Sequence, residues 1–169
     1  MEKRYTVAVL VRNQFGVLNR VTSMFRRRRF NIDSLTVSET ESPDYSRITV
    51  QFAGEEVTKQ QLVNQLYKLP DICSIRELEG ASSISFELLL IKLRNDSATR
   101  DSIRAAADAF KAETVDYTRE SIVLRVTADS VRIDSFLDLM RDYDILEICR
   151  TGVVSLERGA ETIRSGMQV

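Results

Sequence analysis

The chain has 169 residues, a formal net charge of -1 and 43% hydrophobic residues. That length suits one large domain or two small ones. No apolar run approaches the ~20 residues of a membrane-spanning helix, and we expect a cytoplasmic protein without a signal peptide. The near-zero net charge argues against a general nucleic-acid binder.

The sequence contains no residue pattern that indicates catalysis. Histidine is absent, which removes the commonest general base and metal ligand. No Gly-rich phosphate loop, Ser nucleophile elbow or paired-Cys motif occurs. Cys73 and Cys149 lie far apart in apolar runs, so we expect two small buried side chains in a reducing compartment, not a disulfide.

The first half of the chain alternates between strand and helix patterns. Period-two alternation over Tyr5–Val11 predicts a strand, and helical spacing of apolar residues from Gly16 to Phe25 predicts a helix. Strand patterns return near Ile32–Val37 and Ile48–Phe52. A second helix is expected to begin at Thr58, with Gln61 completing a capping box, and a fourth strand follows Pro70.

The second half repeats this order after the small, polar segment "EGASS". A strand over Ile84–Leu93 is followed by a helix after the capping candidates Asp96 and Ser97, two strands, a second helix and a closing strand. The repeat predicts an α+β protein with two tandem ferredoxin-like βαββαβ domains, at residues 4–79 and 84–158. Residues 159–169 are predicted to form a polar tail.

Apolar residues occupy both faces of the first strand. Ala8 and Leu10 alternate with Val7 and Val9, although right-handed crossovers put both helices on one face of the sheet. The other face must therefore be covered by the other domain, another copy or a different protein. Ser46 and Arg47 are expected to begin a strand with a solvent-facing charge, and Glu87, Asp116 and Glu120 read as solvated surface.

The segment "RNQFGVLNRV" lies where the first strand gives way to the first helix. A helix begins with unpaired N–H groups, here those of Gly16, Val17 and Leu18, and such groups favour an anion. Asn13 and Asn31 add side-chain amides near apolar residues, which suits a small apolar amino acid. Asn and Gly are also the commonest turn residues, so an ordinary turn is the alternative.

Four segments resemble the small regulatory subunit of acetolactate synthase: "NQFGVLNRVTSMF", "FNIDSLTVS", "SRITV" and "RTGVVSLERG". This resemblance implies that 4–79 is an ACT domain, that the ACT domains pair in a homodimer, and that valine binds between them. By this resemblance the effector site comprises Asn13, Gly16 and Asn31, which match the motif positions that bind valine. Val17, Leu18 and Ile32 lie beside them in sequence and would shape the pocket.

The resemblance also implies a partner protein and which of the two subunits carries out catalysis. The chain would be a non-catalytic subunit that activates the large subunit and confers feedback inhibition by valine. It would carry no cofactor, because thiamine diphosphate, Mg and FAD are expected only in the large subunit. The alternative is a free-standing ACT-type amino-acid sensor for another enzyme or a transcription factor.

The run "RRRR" at 26–29 departs from the family pattern at its last residue. Many relatives have Gly where this chain has Arg29, and Gly there would adopt the left-handed conformation that ends a helix. Arg29 must adopt that conformation at some cost or end the helix differently. The basic run either complements the dipole of the helix C-terminus or contacts an acidic patch on a partner.

Overall fold

The computed structural model describes residues 3–167, and the last two residues of the predicted tail lie outside this range. The chain divides into two compact units. The first contains the residues up to Ile84 together with those from Val153 onward, and the second is Ser85–Gly152. The sequence analysis instead assigned residues as far as 158 to the second domain.

The first unit has the predicted βαββαβ order. Its elements are β1 (Lys3–Arg12), α1 (Val17–Arg27), β2 (Ser34–Glu39), β3 (Tyr45–Gly54), α2 (Glu56–Leu66) and β4 (Ile72–Glu77). The strands form an antiparallel sheet in the order β2-β3-β1-β4. Period-two residues of β1 and the stripe of α1 meet in one core, which includes Val7, Val9, Phe25 and Phe52.

The second unit repeats this arrangement. Its elements are β5 (Ser83–Arg94), α3 (Arg100–Phe110), β6 (Glu113–Tyr117), β7 (Ser121–Ala128), α4 (Ser130–Met140) and β8 (Ile145–Arg150). The strand order is β6-β7-β5-β8. A further strand, β9 (Val154–Glu157), belongs to the first unit, where Oγ of Ser155 donates to the Ile84 carbonyl at 3.0 Å. Short 3-10 helices occur at Gly80–Ser82 and Ile163–Gly166. The predicted fold class, two tandem ferredoxin-like units, is confirmed.

The second face of the first sheet is covered by the C-terminal segment of the same chain. Ala8 and Leu10 are fully buried, and the 3-10 helix at Ile163–Gly166 contacts β1 and β4. Arg47, opposite Leu10 in the sheet, donates from Nη2 to the carbonyl of Ser155 at 2.6 Å. Burial lowers the pKa of Arg47. The expectation of a solvent-facing charge at Arg47 is therefore wrong.

Two helix starts differ from the sequence-based predictions. Helix α2 begins at Glu56, two residues before the expected Thr58, and its N-cap Glu55 makes no side-chain capping bond. Helix α3 begins at Arg100, and the Asp96 carboxylate accepts from the Ala98 N–H in a local turn instead of capping it. Both cysteines are free thiols, but neither is fully buried as expected: Cys73 is half-buried and Cys149 is exposed.

Helix α1 ends with Arg29 in the left-handed conformation, at φ 58°. The Phe30 N–H donates to the Phe25 carbonyl and the Arg29 N–H to the Arg26 carbonyl, both at 3.1 Å. These two bonds define a Schellman motif. The rings of Phe25 and Phe30 pack edge to face with centroids 6.4 Å apart, which completes its apolar contact. Arg29 thus keeps the geometry that Gly would adopt.

Replacing Arg29 with Gly is expected to stabilise the protein by about 1 kcal/mol, because a residue with a Cβ is strained in this conformation. Urea unfolding followed by circular dichroism measures the change. The matched control is Arg27→Gly, one helical position before the cap, which should lose up to about 1 kcal/mol. A lower stability for Arg29→Gly would contradict this account of the helix end.

A buried ammonium group joins α2 to the end of β4. Lys59 is 5% exposed, and its Nζ lies 2.6 Å from carboxylate oxygens of both Glu56 and Glu77. Burial alone lowers the pKa of Lys59, but the hydrogen bonds to these two carboxylates and the charges of Glu77 and Glu79 raise it above its ordinary value. The hydrogen bond from Lys59 lowers the pKa of Glu56.

The raised pKa of Lys59 and the lowered pKa of Glu56 determine the pH range in which this group of charged side chains stabilises the fold. Because the folded pKa of Lys59 is raised, its contribution is complete below the unfolded pKa of about 10.4 and is lost as the pH rises beyond it. The stability difference between the wild type and Lys59→Met is therefore expected to stay constant between about pH 6 and 9. It should shrink by about 1 kcal/mol over the first pH unit above the unfolded pKa. Urea unfolding across this range tests the prediction, which a constant difference at alkaline pH would contradict.

Candidate functional site

A surface concavity lies where β1 ends and α1 begins. Its lining consists of residues from this one connection and the first turns of the helix: Asn13, Gln14, Phe15, Gly16, Leu18, Asn19 and Thr22. Three of these, Asn13, Gly16 and Leu18, are residues that the sequence analysis placed in an effector site. The structure thus brings half of the predicted set together in one surface feature.

Gly16 sets the geometry of this connection. It is the N-cap of α1 with φ 81° and ψ -5°, and no side chain caps the helix. This left-handed conformation favours glycine because a Cβ would be strained. A Cβ built on Gly16 would lie 3.3 Å from Nη1 of Arg20, so any side chain here would also meet that guanidinium group.

The first turn of α1 leaves three N–H groups at the concavity, but they are not the three that the sequence predicted. The Val17 N–H donates to the Gln14 carbonyl at 3.3 Å, so it is already engaged. Within residues 3–167, no acceptor occurs for the N–H groups of Gly16, Leu18 and Asn19. Together with the helix dipole, these donors form an electropositive end suited to a carboxylate.

The amide of Asn13 is held in one orientation. Its Nδ2 donates to Oε1 of Glu39 at 3.2 Å and to the Pro43 carbonyl at 3.0 Å, and its backbone N–H donates to the Asp44 carbonyl at 2.8 Å. With both amide hydrogens used, the oxygen of Asn13 is left to accept a hydrogen bond. An ammonium group is a donor that suits this oxygen.

Arg20 adds a positive charge one helical turn after Gly16. Its Nε donates to Oδ2 of Asp71 at 2.7 Å, and this hydrogen bond raises the pKa of Arg20. Asp71 is 7% exposed. The ion pair holds the guanidinium group beside the Gly16 backbone, where it reinforces the attraction for an anion.

The other predicted residues lie elsewhere. Val17 is 3% exposed and belongs to the first core. Asn31 and Ile32 do not line the concavity, and Ile32 packs against the core. Asn31 follows the C-terminus of α1, which has 11 residues and is therefore about 16 Å long. Within one chain, Asn13 and Asn31 cannot contact the same small molecule.

Four lining residues were missed from the sequence: Gln14, Phe15, Asn19 and Thr22. Leu18 and Thr22 are four positions apart and share a helix face, a spacing that predicts their neighbourhood once Leu18 is chosen. Phe15 is completely exposed, an unusual position for an aromatic side chain. Nothing in its spacing distinguishes it from a core residue, so only the backbone turn at Gly16 reveals its exposure.

The site has the character of a binding surface. In the part of the chain that the structure describes, no group of three or more Cys, Asp or Glu residues is placed to hold a metal ion. None of the described helices is long and apolar enough to cross a membrane. The groups at the concavity are amides, backbone N–H groups and a guanidinium, whose chemistry suits a zwitterion.

Comparisons with known proteins agree across nearly the whole chain. Residues 7–74 match the AHAS small subunit-like ACT domain, and residues 86–159 match the family described as small subunit of acetolactate synthase. The acetolactate synthase small subunit of Mycolicibacterium smegmatis is 42% identical over 94% of both chains. A probable acetolactate synthase small subunit of Archaeoglobus fulgidus is 42% identical over 92% of this chain and 98% of its own length.

A solved structure gives the same result for the fold. The acetolactate synthase small subunit from Thermotoga maritima superposes with a TM-score of 0.86 at 30% identity, covering 94% of this chain and 99% of its own. Two ferredoxin-like units, the first of ACT type, define the class of ACT-domain proteins. Within that class, the chain belongs to the family of acetolactate synthase small subunits, and this membership supports a regulatory subunit without catalytic residues of its own.

Proposed function

We propose that this chain activates the catalytic large subunit of acetolactate synthase in branched-chain amino-acid biosynthesis and makes it sensitive to inhibition by valine. The observation that carries the proposal is the opening of α1, where Gly16 leaves backbone N–H groups without acceptors among the described residues. Family membership supplies the partner, and the N-terminal ACT domain supplies the regulatory class.

Valine would bind with its carboxylate at the N-terminus of α1. The N–H groups of Gly16 and Leu18 would donate to the carboxylate, and Arg20 would add its charge. The Asn13 oxygen would accept from the ammonium group, while Leu18 would contact the isopropyl group. Each hydrogen bond to a charged group contributes about 1.5–3 kcal/mol, which makes this a selective site for a small amino acid.

The distance between the side-chain amides of Asn13 and Asn31 supports a homodimer. Arg4, near the beginning of β1, lies 3.8 Å from Asp33, so the segment around Asn31 is at the edge where β1 begins. Asn13 is at the edge where β1 ends. If both amides contact one valine, the second must come from another protomer. The ACT domains would then pair with the effector at their interface.

Inhibition would follow from a shift between two arrangements of this dimer. Valine bound across the interface would favour the arrangement in which the large subunit is less active. Such coupling is reciprocal for binding, so the large subunit would also change the affinity for valine. Thiamine diphosphate, Mg and FAD would all be held by the large subunit. We propose a cytoplasmic location for the assembly.

Reconstitution with the cognate large subunit tests the proposal. Acetolactate formation is measured with the large subunit alone, after addition of this chain, and after further addition of valine. We expect stimulation by the chain and inhibition by valine only when the chain is present. Absence of co-purification with a large subunit, combined with valine binding by the isolated chain, would favour a free-standing sensor instead.

A further inference from the structure

The second unit contains a cavity of about 370 Å³ between α3 and the edge of its sheet. Its floor is formed by apolar side chains from α3 and β7, namely Ile103, Ala107, Ile122 and Leu124. All four are buried members of the second core. The rim is polar and consists of Arg100, Arg104, Thr114 and Tyr117. Its volume lies in the range of small-molecule sites.

The cavity exists because the second unit lacks two aromatic rings that fill the same region of the first. Helix α3 ends in a Schellman motif like that of α1, with Lys111 at φ 55° and the Ala112 N–H donating to the Ala107 carbonyl at 2.8 Å. Matching the two motifs places Ala107 where α1 has Phe25 and Ala112 where it is followed by Phe30. The rings of Phe25 and Phe30 pack together in the first unit.

The connection from α3 to the edge strand is also shorter. Residues 28–33 join α1 to β2 and carry Ile32, which packs against the first core. Only residues 111 and 112 join α3 to β6, so no equivalent side chain fills the gap. Every residue of β6 is exposed. Thr114 and Tyr117 stand opposite Leu124 and Ile122 in the sheet, which directs them toward the cavity.

The polar rim has unused hydrogen-bonding groups, and its formal charges are all positive. Arg100 donates from Nε to Oδ1 of Asn95 at 2.8 Å, which leaves its terminal nitrogens. Among residues 3–167, the Arg104 guanidinium has no hydrogen-bond or ion-pair partner, and the hydroxyls of Thr114 and Tyr117 have no hydrogen-bond partner. The lining includes no Asp or Glu. The cavity therefore attracts a carboxylate but offers no counter-charge to an ammonium group.

We propose that this cavity is a second ligand site, which binds a small aliphatic 2-oxo carboxylate. The carboxylate would contact Arg100 and Arg104, the 2-oxo oxygen would accept from the hydroxyl of Thr114 or Tyr117, and the alkyl group would lie on the floor between Ile103 and Leu124. Valine, with the same carbon skeleton as 2-oxoisovalerate, would be disfavoured because its ammonium group would meet two guanidinium groups.

Titration of the full-length chain with 2-oxoisovalerate, followed by methyl-resolved NMR, tests this assignment. We expect saturable shifts of the methyl groups of Ile103, Ile122 and Leu124, with no comparable shifts there from valine. Inorganic phosphate at equal concentration should not reproduce them, because it does not use the apolar floor. Absence of shifts with 2-oxoisovalerate, or equal shifts with valine or phosphate, would overturn the proposal.

Two substitutions test separately the contribution of the positive charge and that of the cavity volume to binding. Arg104→Gln should weaken binding of 2-oxoisovalerate about tenfold, as expected for loss of one charged hydrogen bond. Ala107→Phe should abolish binding by filling the space, as Phe25 does in the first unit. Arg141→Gln, which changes the exposed arginine at the C-cap of α4, is the matched control and should bind as the wild type does. Because Arg104 is exposed, its variant should fold normally, and unchanged binding there would overturn the proposal even if Ala107→Phe misfolds.

Discussion

Gly16→Asp is expected to abolish inhibition by valine while leaving stimulation of the large subunit intact. A carboxylate at this position would lie beside Nη1 of Arg20, which a Cβ approaches within 3.3 Å, and would repel the carboxylate of valine. Loss of one charged hydrogen bond together with this repulsion should raise the valine concentration needed for inhibition by about 100-fold or more. The measurement is a valine titration of reconstituted enzyme.

The matched control is Gly16→Asn, which has the same size without the charge. Asn and Asp both tolerate the left-handed conformation better than other residues with a Cβ, so backbone strain is similar in the two variants. We expect Gly16→Asn to be weakly inhibited by valine and Gly16→Asp to be insensitive. If Gly16→Asp were stimulated and inhibited like the wild type, the effector site would have to lie elsewhere.

The order of elements in both units follows from apolar periodicity. The side chains of Val7 and Val9, which alternate with period two, and those of Val21 and Phe25, which have helical spacing, pack together in one core. The patterns predict the elements because burial of apolar side chains is the dominant favourable contribution to folding. Helix starts were less predictable. Thr58 has the residue type of a cap, yet α2 begins at Glu56, and its first turn is closed by the Lys59 N–H, which donates to the Glu55 carbonyl at 3.1 Å.

The cover of the first sheet could not be derived from local patterns. The apolar side chains of Ala8 and Leu10 indicate that this face of the sheet is covered. The segment that covers it lies about 150 residues further along the chain. Its attachment uses polar contacts such as Arg47 to Ser155 and Arg76 to Glu157. Charged residues of this kind look like solvated surface in a sequence, since only the fold reveals which distant backbone groups they meet.

The candidate site was predictable only where its residues are neighbours in sequence. Asn13, Gly16 and Leu18 share one connection, so their proximity follows from the strand-to-helix transition. Asn31 was grouped with them as a second side-chain amide at the sheet edge and by the family resemblance, and the length of α1 separates it from them in a single chain. Val17 was chosen for its position beside Gly16, whereas helical periodicity turns it into the core.

Glu87→Ala is expected to lower the free energy of unfolding of the second unit by about 3 kcal/mol. Glu87 was read as solvated surface, and the structure corrects this, because it is 2% exposed on β5. Its carboxylate accepts from Oγ of Ser130 and pairs with Nε of Arg150. The hydrogen bond to Glu87 raises the pKa of Arg150, with Asp134 contributing. Removing one partner of a buried ion pair leaves the other charge uncompensated, at a cost of about 3–5 kcal/mol, and the partial exposure of Arg150 favours the lower value.

Urea unfolding followed by circular dichroism suits this measurement, since the chain has no Trp. Glu147→Ala is the matched control within the same sheet, because Glu147 is 70% exposed and pairs with Lys92 at 3.4 Å. Exposed pairs contribute about 0–1 kcal/mol, so this variant should be close to the wild type. A cost for Glu87→Ala no larger than that of the control would mean that the pair with Arg150 does not stabilise the unit. Arg150 is the first residue of the segment "RTGVVSLERG". A large cost would therefore show that this segment begins with a residue that stabilises the packing of β5 against β8 and α4.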